Sequence, residues 1–301
     1  MRTRIVIGSR GSRLALIQAE SVAVTIRKAN PHLEVSISLI VTSGDRDRHT
    51  PLDRIGVGVF VKELEAALLE GRVDIAVHSL KDVPTDIPQG LCLLAVTERL
   101  DPRDVLVARS RLDDLAPGST IGTDSLRRAL QLAQYRPDLK VCSMRGNIDT
   151  RLRKVSAAEV HGIIVAAAAM MRLGWEDKIT EYLPLEHFLP AVGQGALVVE
   201  ARMDDADLAE ILRPVNHLPS WQSVTAERAF LRAVGGGCRA PIAALGRVSS
   251  NTLKLEGMVA DSAGGKMLRA SEEGAAMSSL EMGARLAQKM LNMRASQLMT
   301  R

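Results

Sequence analysis

Two rhythms of apolar positions alternate along the first half of the chain. Arg4–Ile7 reads as a strand, and behind Ser12 the residues Leu14, Ile17, Val22 and Ile26 recur at helical spacing until Asn30 and Pro31 stop the helix. Val35, Ile37, Leu39 and Val41 alternate with mostly polar neighbours, which predicts a second strand. Residues 43–58 are polar and punctuated, a loop long enough for a functional role. A helix over Phe60–Glu70, stopped by Gly71, and a strand over Val73–His78 follow. From about residue 101 the pattern restarts: strands at Asp104–Ala108, Thr120–Gly122, Lys140–Met144 and Gly162–Ala166, helices at Ser125–Tyr135 and Asn147–Val155 and another after Ala166. Such alternation requires crossover connections and predicts mainly parallel sheets. The tail differs. After a helix near Trp221–Val234 come strand-like runs at 242–249, 252–260 and 266–270 and a final helix at about 278–293, a small α+β domain.

The two halves echo each other. Ile7-Gly8-Ser9-Arg10-Gly11-Ser12 ends one strand and opens one helix, and Ile121-Gly122-Thr123-Asp124-Ser125, one residue shorter, does the same. Each places backbone N–H groups and hydroxyls at a helix start, a natural seat for an anion. One such junction per domain, each with arginine nearby, suggests a cleft that grips an anionic ligand. Five clusters carry candidate chemistry. Val77-His78-Ser79-Leu80-Lys81-Asp82-Val83-Pro84 ends an apolar strand in polar groups at the edge where open α/β sheets hold ligands. Lys81 and Asp82 fit an electrostatic pair with proton-transfer capacity and fit a solvated turn as well. Asp82, directly past that strand, is expected in a partly desolvated setting. Arg127 and Arg128 lie in the first turn of a helix, where cations oppose the dipole unless an anion is near; a salt-bridged surface accounts for them equally. Arg145 ends a strand, and Arg151 lies in the helix after it. Gly193-Gln194-Gly195 reads as a flexible return between domains, and a plain loop accounts for it more simply. Cys238 sits behind Gly235-Gly236-Gly237 and before Arg239, a mobile, cationic context that favours a reactive thiolate over a buried inert cysteine.

Composition narrows the choice. The chain of 301 residues allows two or three domains, and 30 Arg against 9 Lys suits bidentate recognition of carboxylate or phosphate, although a GC-rich genome explains the bulk excess equally. A net charge of +4 is too small to imply a polyanion by itself, and three Phe, two Tyr and two Trp supply few platforms for stacking bases. Three cysteines without a CxxC pair give no disulfide framework and no zinc site. Arginines interrupt the N-terminal stretch where a signal peptide needs apolar residues, and the longest apolar run, Ile163–Met171, falls far short of a membrane span. A soluble, cytoplasmic protein is expected.

The set VHSLKDVPT, GTDSLRR, RGNIDTRL, LPAVGQGAL, TAERAFLR and GGGCRAPI, in this order, closely resembles the porphobilinogen deaminase (hydroxymethylbilane synthase) family from about Ile5 to the C-terminal helix. The resemblance implies an α/β fold: two periplasmic-binding-protein-like domains with mainly parallel sheets joined by two crossovers, plus a small C-terminal α+β domain. It places domain 1 at 1–98 and 195–215, domain 2 at 99–194 and domain 3 at 216–301. It implies a transferase that condenses four porphobilinogen molecules head-to-tail, with loss of ammonia, on a dipyrromethane cofactor. Hydrolysis then releases hydroxymethylbilane. In this likeness Cys238 carries the cofactor through a thioether, and Asp82 is the catalytic carboxylate. Arg10, Ser79, Lys81, Asp82, Ser125, Arg127, Arg128, Arg145 and Gly146 hold the cofactor; Arg10, Arg145, Arg151, Arg172 and Gln194 bind substrate. No metal, nucleic acid or membrane partner is implied, and the enzyme is expected to be a monomer. Three departures stand out. The segment Gly56–Glu65 lacks the family's loop lysine, leaving Arg54 and Lys62; Asp124 replaces a usual serine, with the capacity to cap the helix; and Gly235 replaces a usual acidic residue. The rival from another class is a periplasmic-type solute-binding protein for an anionic ligand.

Overall fold

The structure, a computed structural model, describes residues 2–46, 58, 60–235, 240–261 and 266–299, with the side chains of 45, 46 and 294–299 left aside. The chain divides into two compact units, one formed by Met1–Arg99 with Ala196–Gln222, the other by Leu100–Gly195 with Ser223–Arg301.

The first unit is built on β1 (Arg4–Ser9), β2 (Glu34–Leu39), β3 (Ile75–Ser79), β4 (Leu91–Val96) and β10 (Leu197–Arg202), in the order β2-β1-β3-β10-β4. β1 pairs in parallel with β2 and β3, whereas β10 pairs antiparallel with both β3 and β4. Four strands therefore run one way and β10 runs against them. Helix α1 (Arg13–Ala29) starts where Ser12 Oγ accepts from the Ala15 N–H at 3.3 Å, and it ends at Asn30 as expected. Its Val22, Ala23 and Ile26 pack on Ile5, Ile7, Ile75 and Val77. The short helix α2 (Ser43–Arg46) precedes α3 (Lys62–Leu69), whose Leu64 and Leu68 cover the other face with Val73 and Leu91. Each such fully buried aliphatic side chain contributes about 1.5–3 kcal/mol.

The second unit repeats the scheme. Strands β5 (Asp104–Ala108), β6 (Thr120–Gly122), β7 (Lys140–Cys142), β8 (Gly162–Ala166) and β9 (Glu181–Tyr182) lie in the order β7-β6-β8-β5-β9. β6 is parallel to β7 and β8, and β5 is antiparallel to β8 and β9, so one strand is again reversed at the fourth position. The mainly parallel expectation holds in strand direction. The reversed strands, β10 and β5, are the first strands laid down after the chain passes from one unit to the other. Helices α4 (Leu126–Tyr135), α5 (Ile148–Ser156) and α6 (Ala167–Leu173) alternate with this sheet. The echo read in the sequence is topological: β1–α1 and β6–α4 occupy equivalent places, and Ser125 Oγ caps α4 by accepting from the Arg128 N–H at 3.4 Å, as Ser12 caps α1.

After α7 (Ala206–Leu212), α8 (Leu218–Ala233) leads into the antiparallel sheet β11 (Ile242–Ser249), β12 (Thr252–Ala260) and β13 (Met267–Ala275), followed by α9 (Ser279–Met299). Phe230, Leu253, Leu255, Met282 and Leu286 form its core. Gly283 lets α9 approach α8, since a Cβ there would meet the Ala226 carbonyl oxygen at 2.3 Å. The second unit thus contains both its five-stranded sheet and this three-stranded one, which the sequence reading assigns to separate domains.

Candidate active site

Two groups of side chains gather at the carboxyl edges of the parallel strands, one in each unit. In the first unit, β1 ends at Ser9 and its parallel neighbour β3 at Ser79, so Arg10 and Ser79 share one sheet edge. Leu80, Lys81 and Asp82 form a single 3₁₀ turn directly beyond β3, held by Leu80 N–H to the Ala196 carbonyl at 3.1 Å. The end of β3 is pinned on both faces. Ser79 Oγ accepts from Gln18 Nε2 of α1 at 2.9 Å, and His78 Nε2 lies 3.0 Å from Glu200 Oε2 of β10. Arg10 stacks its guanidinium 4.0 Å from the Phe60 ring centroid, a cation–π contact. Asp82 is exposed. This corrects the desolvated setting expected for it: the carboxylate lies past the last buried strand residue, on a turn that presents it to solvent.

In the second unit the organising group is Asp104, which opens the reversed strand β5 opposite Ala166, at the edge where β8 ends. Asp104 is 0% exposed, with Arg127 at 4%, Arg128 at 7% and Gln194 at 1% around it. Arg127 Nη1 donates to Asp104 Oδ2 at 2.7 Å and to the Leu189 carbonyl at 2.6 Å. Arg128 donates to Oδ1 through Nε (3.0 Å) and Nη2 (2.7 Å) and to the Ile164 carbonyl through Nη1 (3.1 Å). Gln194 Nε2 donates to Oδ1 at 2.9 Å and to the Pro102 carbonyl at 2.7 Å. Burial by itself would push the Asp104 carboxyl up, but the two guanidinium charges and their hydrogen bonds overturn it and hold the group well below the usual carboxylate range. Two cations on one carboxylate leave a unit of positive charge held rigidly at this edge.

Further cations surround that knot. Gly146 adopts φ +102°, a conformation suited to glycine, and its carbonyl accepts from Arg151 Nε at 2.9 Å. Burial pushes the Arg151 guanidinium pKa down; Asp124 opposes this, and Arg128 and Arg145 add to it. Arg172, half-buried, donates to the Gly195 carbonyl at 2.8 Å, and burial pushes it down to about 10. Among the described residues it is hydrogen-bonded to this neutral carbonyl and to no carboxylate, so this cation keeps an unmet electrostatic demand. Asp124 does not cap α4. Ser125 does so, and Asp124 Oδ1 instead accepts from Ser143 Oγ (2.6 Å) and the Met144 N–H (2.8 Å).

The return at Gly193-Gln194-Gly195 is buried and tied, not flexible. Both glycines take positive φ, and the Gly193 N–H donates to Glu227 Oε2 at 2.7 Å, while Glu227 Oε1 accepts from the Gly246 N–H of β11 at 2.7 Å. Cys238, Gly236, Gly237, Arg239 and Arg54 lie outside the described residues. Of the other cysteines, Cys92 and Cys142 are half-buried thiols, and burial pushes both up, away from thiolate reactivity.

Sequence reasoning missed Asp104, Gln18, Glu200 and Glu65, and it named His78 within a candidate cluster without the buried Glu200 beside it. Burial, then Glu200, pushes the Glu65 carboxyl up, while His78 and Lys62 pull it down. The available signals were an acid opening an apolar strand (Asp104) and a lone acid inside another, Leu197-Val198-Val199-Glu200-Ala201.

Comparison with known proteins adds an independent line. Residues 5–210 match the family described as porphobilinogen deaminase, dipyromethane cofactor binding domain, and residues 221–292 match the porphobilinogen deaminase C-terminal domain. A porphobilinogen deaminase of Syntrophus aciditrophicus is 45% identical over 289 residues, covering 95% of this chain and 94% of that protein. One from Desulforudis audaxviator is 45% identical over 304 residues, covering 100% and 98%. Among solved structures, the periplasmic VFT2 domain of Bordetella pertussis BvgS aligns with a TM-score of 0.42 at 15% identity, over 71% of this chain and 87% of that one.

Proposed function

The chain belongs to the porphobilinogen deaminase family, and from that premise we propose that it condenses four porphobilinogen molecules head-to-tail, with release of ammonia, and hydrolyses the product to hydroxymethylbilane. The growing chain is carried on a dipyrromethane cofactor attached through a thioether to Cys238. The observation that carries the reading is the match of both family domains, over residues 5–210 and 221–292, together with relatives 45% identical over nearly the whole chain. The geometry fits it. A dipyrromethane bearing acetate and propionate groups needs fixed cations, and the net positive Asp104–Arg127–Arg128 knot and Arg172, which has no carboxylate partner among the described residues, supply them.

Roles follow for individual residues. When bound, the cofactor supplies the nucleophilic pyrrole carbon to which the first substrate is joined. Arg10, Lys81, Arg127, Arg128 and Arg145, with Ser79, Ser125 and the Gly146 backbone, hold it; Arg10, Arg145, Arg151, Arg172 and Gln194 act on the substrate. Gln194 works through Asp104, which it helps to orient. Asp82 stabilises the positive charge that develops on the substrate pyrrole as ammonia leaves and moves protons at its nitrogen. Gln18 and the His78–Glu200 pair keep the segment bearing Asp82 in place from either face of β3. On this reading the enzyme works as a cytoplasmic monomer without nucleic acid or a membrane; no helix among the described residues is long and apolar enough to cross a bilayer. Solute binding, the alternative, has fold likeness alone behind it.

Incubation of the purified protein with porphobilinogen tests the proposal. One ammonia per porphobilinogen consumed, with a linear tetrapyrrole detected by mass, is the expected result. Binding of porphobilinogen without ammonia release would reject it.

A further inference from the structure

Asp124 holds a position that its role as a loop latch does not explain. One carboxylate oxygen, Oδ1, is fixed by Ser143 Oγ and the Met144 N–H. The other, Oδ2, is buried and has no hydrogen-bond partner among the described residues, and it lies 3.7 Å from Arg151 Nη2. Leaving a buried charged acceptor without a donor is costly, and the attraction of a guanidinium at this distance offsets only part of that cost. Arg151 meanwhile gives its Nε to the Gly146 carbonyl, so the Nη2 side is the one turned toward Asp124. Arg128 and Arg145 are the further charges that bear on Arg151.

We propose that Asp124 is a resident counter-ion that competes with ligand carboxylates for Arg151 and so sets how tightly the enzyme holds its pyrrole chain. The inference rests on the reading of Arg151 as a substrate-carboxylate site. Each condensation adds two carboxylates to the bound chain, so an uncompensated arginine cluster would bind it more tightly at every step. Tighter binding of the ground state and of the product adds nothing to turnover and slows release. A fixed carboxylate already facing Arg151 lowers the gain from each added ligand carboxylate. Asp124 is therefore a specificity-setting residue rather than a catalytic one.

The test is Asp124→Asn in the full-length, cofactor-loaded protein. Asparagine keeps the carbonyl oxygen that serves Ser143 and Met144 and removes the charge facing Arg151. Asp124→Ser provides a second variant should the asparagine protein fold poorly. Binding of glutarate, a simple dicarboxylate probe, is measured by ligand-observed NMR, and KM and kcat for porphobilinogen are measured separately. Glutarate affinity is expected to rise about three- to tenfold at a partly screened site, with KM falling by a similar factor and kcat changing less. Unchanged or weaker glutarate binding in the variants would overturn the proposal, because a purely structural Asp124 would loosen Arg151. Wild-type protein that released no ammonia from porphobilinogen would instead defeat the functional reading, and the glutarate comparison would still report on Asp124.

Discussion

Replacing Arg127 with leucine removes one of the four hydrogen bonds that the described residues give to a carboxylate with no access to water. Asp104 receives Arg127 Nη1 at 2.7 Å, Arg128 Nε at 3.0 Å and Nη2 at 2.7 Å, and Gln194 Nε2 at 2.9 Å. The Leu189 carbonyl loses the same guanidinium, although Gln131 Nε2 still reaches it at 3.1 Å. Breaking a buried pair costs about 3–5 kcal/mol, and packing of the leucine returns part of this, so a net loss of about 2–4 kcal/mol is expected. That is a large share of the roughly 5–15 kcal/mol that stabilises a typical domain. The pH dependence has a definite sign. Against the upward push of burial, the arginines hold Asp104 below its ordinary value, so its contribution is complete above that value and is lost only in strong acid. In Arg127→Leu the carboxyl rises, and acid unfolding begins at a higher pH. Arg172→Leu is the contrast, because Arg172 is half-buried with a single carbonyl hydrogen bond among the described residues. It should lose turnover while its stability stays within about 1 kcal/mol of wild type. Urea unfolding followed by circular dichroism, at neutral pH and down an acid series, measures both. An Arg127→Leu midpoint equal to wild type would refute the structural role given to the Asp104 knot.

The remaining predictions concern the first unit. Asp82→Asn should slow single-turnover ammonia release by about 3 kcal/mol in barrier if electrostatic stabilisation dominates, and Asp82→Glu should keep some activity. Neither should move the melting midpoint, because Asp82 is exposed; near-normal release by the Asn protein would take Asp82 out of the mechanism. Glu65, pushed up first by burial and then by Glu200, favours folding most below its ordinary value and loses that contribution as pH rises through the raised one. Glu65→Gln should flatten the decline in urea midpoint as pH rises above the ordinary glutamate value, and an identical decline in the variant would count against the buried assignment.

Much of this architecture was legible because it is local. Ser12 opening α1, Ser125 opening α4 and the strands at 242–249 and 252–260 follow from caps and alternation within a few residues. The last strand runs on to Ala275, beyond the apolar run at its start, because pairing with β12 carries the polar stretch Ser271-Glu272-Glu273 along. The candidate arginines were legible as residue types, but their contacts were not. Arg127 and Arg128 meet Asp104 across 23 and 24 residues, and Gln194 meets it across 90. No periodicity encodes a partner at that separation. Gln194 between two glycines reads as a mobile loop for the same reason: the tie that holds the turn, Glu227, lies 34 residues on from Gly193, on α8. The exposure of Asp82 depends on how the chain leaves β3, which an apolar run before it does not specify.

Intact-mass analysis of the purified protein, followed by peptide mapping, tests the central claim most directly. The account predicts an added mass equal to two linked pyrrole units, located on the peptide containing Cys238 and absent from Cys238→Ala. Cys92 and Cys142, half-buried thiols pushed up by burial, should remain unmodified. An unmodified Cys238 in active protein, or an adduct on either of the other cysteines, would contradict it.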